Sequence, residues 1–377
     1  MHARATDSCT RVHFGWISLL QPLSLHRRAN RPATEMESAQ VPKTDRITNV
    51  TADDVAASAG VSRWTVNRAF KKDASISPRT RAKVMSAAQS LGYVPDLGAA
   101  ALASTRSNLV ALLVDDFTNP HKLVMLERLT RALRRRGWDT LLVNTLDRDD
   151  TQPALLNASQ RRVDATILIG IQFDDEVLAT AHRARRFKKL IIFARQSQNP
   201  DTISIAVDDE AATREITAYV IERGYRNPLY IAGPPTISAH LLRKETFAAI
   251  WQDRFAQTPD SVTVPRYDAT LAANIALDTL KARRRDDLPD IIVCENDALA
   301  LGVIDTLRHC LGLRVPEDVA VIGFDDIPQA ASPNYCLTTY RQPLTDMSNY
   351  LVDVLENADG TCLDRQFQGQ LIIRNSA

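Results

Sequence analysis

Residues 51–70, TADDVAASAGVSRWTVNRAF, constrain this chain more than any other stretch. They read as two short helices around a tight turn. Thr51 is placed to cap the first helix, its hydroxyl accepting an orphan backbone N–H, with Asp54 as the acid of a capping box. Val55, Ala56 and Ala59 form that helix's apolar stripe. Gly60 supplies the turn, since only glycine takes a left-handed backbone cheaply. Ser62 caps the second helix, whose Val66, Ala69 and Phe70 face inward while Arg63, Trp64, Asn67 and Arg68 face out. This is the sequence form of a helix-turn-helix, whose second helix can lie in a DNA major groove. A plain helical hairpin shares the pattern, so the neighbouring residues decide.

Ser77-Pro78 starts a further helix, with Val84, Ala87, Ala88 and Leu91 in helical register from Thr80 to Leu91. Over residues 46–92 the eight cations Arg46, Arg63, Arg68, Lys71, Lys72, Arg79, Arg81 and Lys83 face only Asp53, Asp54 and Asp73. The segment is therefore +5 where the whole chain is +1. Positive charge is concentrated where a phosphate backbone would be met.

From Asp54 to Arg68 the chain reads D-V-A-A-S-A-G-V-S-R-W-T-V-N-R, and the match continues through Ser77, Thr80, Arg81 and Val84 into Leu91-Gly92-Tyr93-Val94-Pro95. This stretch resembles the headpiece of the LacI/GalR family of bacterial transcriptional regulators, D-V-A-x-x-A-G-V-S-x-x-T-V-S-R followed by L-G-Y-x-P. Asn67 stands where the family usually has serine, a change that leaves the fold alone and alters which bases are read.

Past Arg106 the texture becomes alternating strands and amphipathic helices. Strands are predicted at Leu109–Val114, Thr140–Asn144, Ala165–Ile171, Leu190–Phe193, Ser204–Val207, Leu229–Ala232, Asp290–Val293 and Val319–Gly323. Helices are predicted at Lys122–Arg136, Glu210–Arg223, Arg243–Phe255, Ala298–Cys310 and Pro343–Leu355. Such spacing argues for parallel sheets covered on both faces, and the number of units argues for two lobes. A composition 45% hydrophobic supports a large core. There is no G-x-G-x-x-G after a strand, no G-x-x-x-x-G-K-[ST], no G-x-S-x-G elbow and no H-E-x-x-H, so catalytic, metal and cofactor sites are not expected. No apolar run reaches the roughly 18–20 residues of a membrane span. The five cysteines lack C-x-x-C spacing and suit a reducing cytoplasm.

The family resemblance extends over residues 47–374. Asp115-Asp116-Phe117-Thr118-Asn119-Pro120 resembles its first strand-end loop, with His121 where an aromatic is common. Val207-Asp208-Asp209 is similar to its step between lobes. Ala232-Gly233-Pro234 with Arg243-x-x-x-Phe247 resembles A-G-P…R-x-x-G-F, with Thr246 in place of glycine. Cys294 to Gly302, Ile322 to Asp326, and Leu337-Thr338-Thr339 with Arg341-Gln342-Pro343 resemble three further blocks. The resemblance implies an all-α helix-turn-helix headpiece followed by an α/β two-lobed periplasmic-binding-protein-like (type I) domain with parallel sheets. The expected organisation is a flexible leader over 1–45, headpiece 46–92, hinge helix or linker 93–106, and effector-binding and dimerisation domain 107–377. Met36 is expected to be the natural start of translation.

The resemblance implies a transcriptional repressor, cytoplasmic and nucleoid-associated. It binds double-stranded operator DNA as a homodimer and takes a small effector, a sugar or sugar derivative, between its lobes. A sugar-binding clamp without a DNA function and an α/β enzyme are the alternatives. Arg63 can fork onto guanine O6 and N7, and Trp64 can pack on thymine methyls. Asn67 and Arg68 reach a base edge or phosphate one turn on, beside Thr65. Lys71 meets phosphate, as do Thr51, Ser62, Ser77 and Thr80 at helix starts. In the hinge segment Asp96 to Ser104, Leu102 matches a leucine levered into the minor groove. Arg243, Asn296 and Asp325 match positions that hold effector hydroxyls, with Asn119, His121 and Arg195 as additions. Phe117 and Leu344 are expected to form an apolar platform, and Asp208 to belong to the step between lobes.

Overall fold

The computed structural model describes residues 50–71, 74–96, 98, 106–145, 151–170, 173, 178, 189–235, 241–357 and 363–377. The leader, Ile171 and Leu102 lie outside the described residues. The chain divides into two compact units, Met1–Pro95 and Asp96–Ala377, cut within the expected hinge.

The first unit holds helices at Ala52–Ala59, Arg63–Ala69 and Pro78–Leu91. Thr51 and Asp54 form the capping box, Thr51 N donating to Asp54 Oδ2 at 2.8 Å. Gly60 sits at φ 57°, and Ser62 and Ser77 accept from the N–H groups of Thr65 and Thr80. Val55, Ala59, Val66, Val84 and Ala88 are buried together, with Phe70 and Tyr93 edge to face at 5.6 Å closing the cluster. Leu91, in helical register with Val84, Ala87 and Ala88, is exposed at the helix end. Arg81 does not serve as a surface charge alone: its guanidinium donates to the carbonyls of Ala69, Lys71 and Ala74 and pins the loop before the third helix.

The second unit contains two six-stranded sheets. One has the order β11 (Arg365–Phe367), β5 (Ile203–Val207), β4 (Lys189–Phe193), β3 (Ala165–Ile169), β1 (Leu109–Val114), β2 (Asp139–Asn144). The other has the order β12 (Gln370–Ile372), β10 (Thr338–Arg341), β9 (Ala320–Asp325), β8 (Ile291–Cys294), β6 (Pro228–Ala232), β7 (Asp260–Thr263). Every pairing is parallel except β10 with β12, so the second sheet carries one antiparallel edge. Helices Pro120–Arg135 and Leu344–Glu356 cover one face of the first sheet, and Thr151–Gln160 the other. Asp209–Glu222 and Arg243–Phe255 cover one face of the second, and Ala269–Leu280 and Asp297–Asp305 the other.

The eight predicted strands are present with edges shifted by a few residues. The predicted Ala298–Cys310 helix is α-helical only to Asp305 and continues as a π turn over Thr306–Cys310. Strands β7, β10, β11 and β12 and the helices Thr151–Gln160 and Ala269–Leu280 were not expected. The short edge strands are partly polar and exposed, so they lack the apolar run that marks a buried parallel strand. The chain crosses between the two sheets three times, after β5 at Asp208, after β10 at Gln342, and between β11 and β12. Asp208 lies at the first crossing, where its carboxylate caps the Asp209–Glu222 helix.

Candidate functional site

In the first unit, the second helix presents Arg63 and Trp64 outward, both with about two-thirds of the side chain exposed. Asn67 and Lys71 are exposed beside them. Arg63 pairs with Asp53 at 3.1 Å, an exposed contact weak enough to exchange for a stronger acceptor. Arg68 is turned back: its guanidinium donates to the Ser75 carbonyl at 2.7 Å and lies 4.5 Å from the Trp64 ring centre. It therefore stiffens Trp64 and the following loop. Thr51, Ser62, Ser77 and Thr80 are joined in helix caps; Ser62 with Thr65, and Ser77 with Thr80, share hydroxyl–hydroxyl bonds at 2.9 and 2.7 Å. These hydroxyls and the N–H groups they cap form the positive ends of three helices.

In the second unit the order of each sheet reverses at one point, between β1 and β3 in one and between β6 and β8 in the other. Open α/β sheets bind ligands outside the carboxyl ends of strands at such points. A cavity lies there, lined by Asn119, His121, Arg195, Arg243, Asn296 and Asp325, all six of the effector positions named from sequence. Its volume is about 60 Å³, room for about four to six waters at ~10–15 Å³ each. Lys122, Gly170, Tyr267 and Gln342 also line it, with Met125, Ile169, Phe193 and Leu241 as its apolar walls. Phe117 and Leu344 do not line it. They pack against the core under the first sheet instead, because the strand-end loop turns the Phe117 ring toward that cluster.

Each side chain is held by its local structure. Asn119 caps the Pro120–Arg135 helix through its Oδ1, accepting from His121 N at 3.0 Å, and Asn296 caps the next lobe's Asp297–Asp305 helix by accepting from Leu299 N. Arg243 donates from Nε to Asp209 Oδ1 at 2.6 Å and from an Nη to the Glu295 carbonyl at 2.9 Å, its guanidinium 3.5 Å from the centre of the Phe324 ring. Lys122 is buried against the Asp115 carboxylate. Asp325 ends β9 at φ 120°, a strained backbone that aims its carboxylate back toward the crossing. Gly170 is required: a Cβ there would lie 2.0 Å from the Asp115 carboxylate.

Gln342 Nε2 donates to Asp325 Oδ1 at 2.7 Å and lies 3.1 Å from His121 Nε2. An amide nitrogen can only donate, so this contact assigns His121 the tautomer protonated at Nδ1. His121 Nδ1 and Gln342 Oε1 are both buried and have no hydrogen-bond partner among the described residues. Burial, then the nearby Arg243 and Lys122 charges, hold His121 down at about 3, so the ring is neutral. Burial pushes Asp325 up to about 7 against the pull of Arg243 and the Gln342 bond, and Asp209 to about 6 against its ion pair with Arg243. Sequence reasoning placed Gln342 in a motif without a role and passed over Asp209, Tyr267 and Lys122. Asp209 next to a cap-forming Asp208 carried the only local signal for a second, buried carboxylate.

Residues 51–96 match the family described as bacterial regulatory proteins, lacI family, and residues 217–376 match the periplasmic binding protein-like domain. The sucrose operon repressor of Escherichia coli is 29% identical over 284 residues, 73% of this chain and 83% of that protein. The ribose operon repressor of Escherichia coli (strain K12) is 29% identical over 309 residues, 81% of this chain and 92% of that protein. A crystal structure of the lac repressor dimer bound to operator and an anti-inducer shares the fold, with a TM-score of 0.76 at 23% identity, covering 87% of this chain and 99% of that one. With a helix-turn-helix at its amino end and a two-sheet effector fold after it, the chain belongs to the lacI family of bacterial regulatory proteins.

Proposed function

We propose that this protein is a homodimeric, cytoplasmic, nucleoid-associated repressor that binds a two-fold symmetric operator and is controlled by a small neutral carbohydrate held in the cavity at the strand ends. One helix-turn-helix reads only a few base pairs, so a two-fold dimer supplies the second half-site. The observation that carries the effector reading is the way four of the cavity's ionisable groups are answered from within. Arg243 is paired with Asp209, Lys122 with Asp115, Asp325 is hydrogen-bonded by Gln342, and His121 is neutral. An incoming ligand need bring no countercharge for these groups; it must match single donors and acceptors such as His121 Nδ1–H and Gln342 Oε1. Neighbouring hydroxyls of one ligand can serve the two, one accepting from the ring N–H and another donating to the amide oxygen. Relatives named as sucrose and ribose operon repressors support the same chemical class.

The test has two arms. Selection of duplexes from a random pool by the full chain is expected to return a palindromic motif. Calorimetry against neutral mono- and disaccharides is expected to find one that binds at the cavity and shifts operator affinity. Enrichment of no duplex would refute the DNA half. Binding confined to phosphorylated or purine ligands would refute the neutral carbohydrate.

A further inference from the structure

We propose that the second unit contributes its own DNA contact: an arginine ridge at the amino-terminal edge of the first sheet that grips phosphates flanking the operator. This rests on the operator-binding reading above. Strands β1, β2 and β3 are parallel and in register, so the residues leading into them share one edge. Those residues are Arg106 before β1, Arg134, Arg135 and Arg136 before β2, and Arg161 and Arg162 before β3. Backbone contacts hold the three lead-ins together. Asp139 N donates to the Asn108 carbonyl and Asp164 N to that of Leu109, each at 2.8 Å, and Ser107 Oγ donates to the Arg162 carbonyl at 2.8 Å.

Helix C-termini favour cations, which accounts for one arginine at the end of each preceding helix. It does not account for the runs R-R-R and R-R. Arg136 is answered by Glu356 and Asp353, and Arg134, with 85% of its side chain exposed, has among the described residues only Asp139 at 3.9 Å. Arg135, Arg161 and Arg162 are exposed and form no ion pair with any described residue, Arg161 meeting only the Asn157 amide. The carboxylate nearest the centre of the edge, Asp164, is buried and accepts from the N–H groups of Ser107 and Asn108. Lys189, at the start of β4, donates to the carbonyls of Val354 and Asn357. What remains outward is guanidinium, the group whose planar fork matches a phosphate.

Connectivity selects DNA as the partner. This is the edge at which the chain arrives from the headpiece. The headpiece helices end at Leu91 and β1 begins at Leu109, so the intervening segment spans at most about 60 Å even fully extended. Any duplex held by the headpiece is thus kept within reach of this edge at high local concentration, an advantage that a free acidic partner lacks.

The experiment uses the full chain and its selected duplex, either trimmed to about 20 base pairs or extended by mixed-sequence flanks on both sides. One variant combines Arg135→Ala, Arg161→Ala and Arg162→Ala; a second carries lysine at the same three positions. The parent is expected to bind the flanked duplex more tightly than the trimmed one at low salt. The alanine variant should lose that margin, about tenfold or more, with a salt slope shallower by up to about 5 for the six arginines of the dimer, while the lysine variant keeps most of both. Equal margins and slopes for parent and alanine variant would overturn the ridge, and would be the result if it instead docks an acidic protein. Failure of the parent on the trimmed duplex would strike the operator reading itself, a separate result.

Discussion

Arg243→Ala is expected to destabilise the protein through the partner it leaves behind, with a signature in pH. The guanidinium donates a charged hydrogen bond to the Glu295 carbonyl, worth about 1.5–3 kcal/mol, and lies over Phe324 in a desolvated site, worth about 2 kcal/mol. These losses alone come to roughly 3–5 kcal/mol. The larger matter is Asp209, which is buried and already pushed up to about 6 by that burial with Arg243 present. Without the guanidinium it stays protonated to higher pH. A carboxyl whose folded pKa lies above its unfolded value contributes stability below the unfolded pKa and loses it as pH rises. Above about pH 6 the penalty of the variant over the parent therefore grows by about 1.4 kcal/mol per unit until solvent relaxation limits it. Urea unfolding of the full chain, followed by tryptophan fluorescence between about pH 6 and 8, measures this directly. Replacing both partners, Arg243→Met with Asp209→Leu, should recover most of the stability and none of the effector binding, since a buried ion pair exchanged for apolar groups is close to neutral. A penalty below about 1 kcal/mol, or one flat across that pH range, would refute the claim that the pair is buried and mutually dependent.

Gly170→Ala should lower Tm by several degrees, because the added methyl meets the Asp115 carboxylate at 2.0 Å and the backbone sits at φ +150°; an unchanged melt would show that the Asp115–Lys122 pair can move aside. Asp325→Asn should raise Tm at alkaline pH by about 2–4 °C while abolishing the effector response. The sign follows because burial raises the folded pKa to about 7, so ionising the parent costs stability as pH rises toward that value, and a lower or equal Tm would contradict it. Arg63→Ala should relax one symmetric base position in a random-site selection without changing non-specific affinity, and recovery of the parental motif would show that Arg63 reads no base.

The headpiece was almost wholly legible, since its caps, turn and core lie within a few residues of one another in the chain. Thr51 with Asp54, Gly60, Ser62 and Ser77-Pro78 each announce a local geometry, and the structure has each of them. The limit shows at Arg68 and Arg81, which look like surface cations but bind loop carbonyls, because a periodic pattern gives a direction and not a partner. In the second unit, long apolar strands were readable and the short polar edge strands were not. Among the cavity residues, those in motif-bearing strand-end loops were readable. Tyr267 and Asp209 were not, because their partners Glu295 and Arg243 lie 28 and 34 residues away, a pairing set only when the helices and strand ends of the second sheet pack together.

The crossings between the two sheets explain how a ligand of this size can act at a distance. His121 lies on a helix packed against the first sheet, Asp325 ends a strand of the second, and Gln342 sits in the connection between them. The three-residue chain therefore ties one lobe to the other through two hydrogen bonds, one of them to a carboxylate. Such bonds are worth about 0.5–3 kcal/mol each, the same magnitude as the coupling of about 1–3 kcal/mol that typifies allosteric control. On the proposed function, effector hydroxyls accept from His121 Nδ1–H and donate to Gln342 Oε1, two polar atoms with no partner among the described residues. That gain exists only in the lobe arrangement that brings His121 and Gln342 together, and a ligand shifts an equilibrium only by such a difference between states. A ligand that bonds both groups therefore favours this arrangement over any in which His121 and Gln342 part.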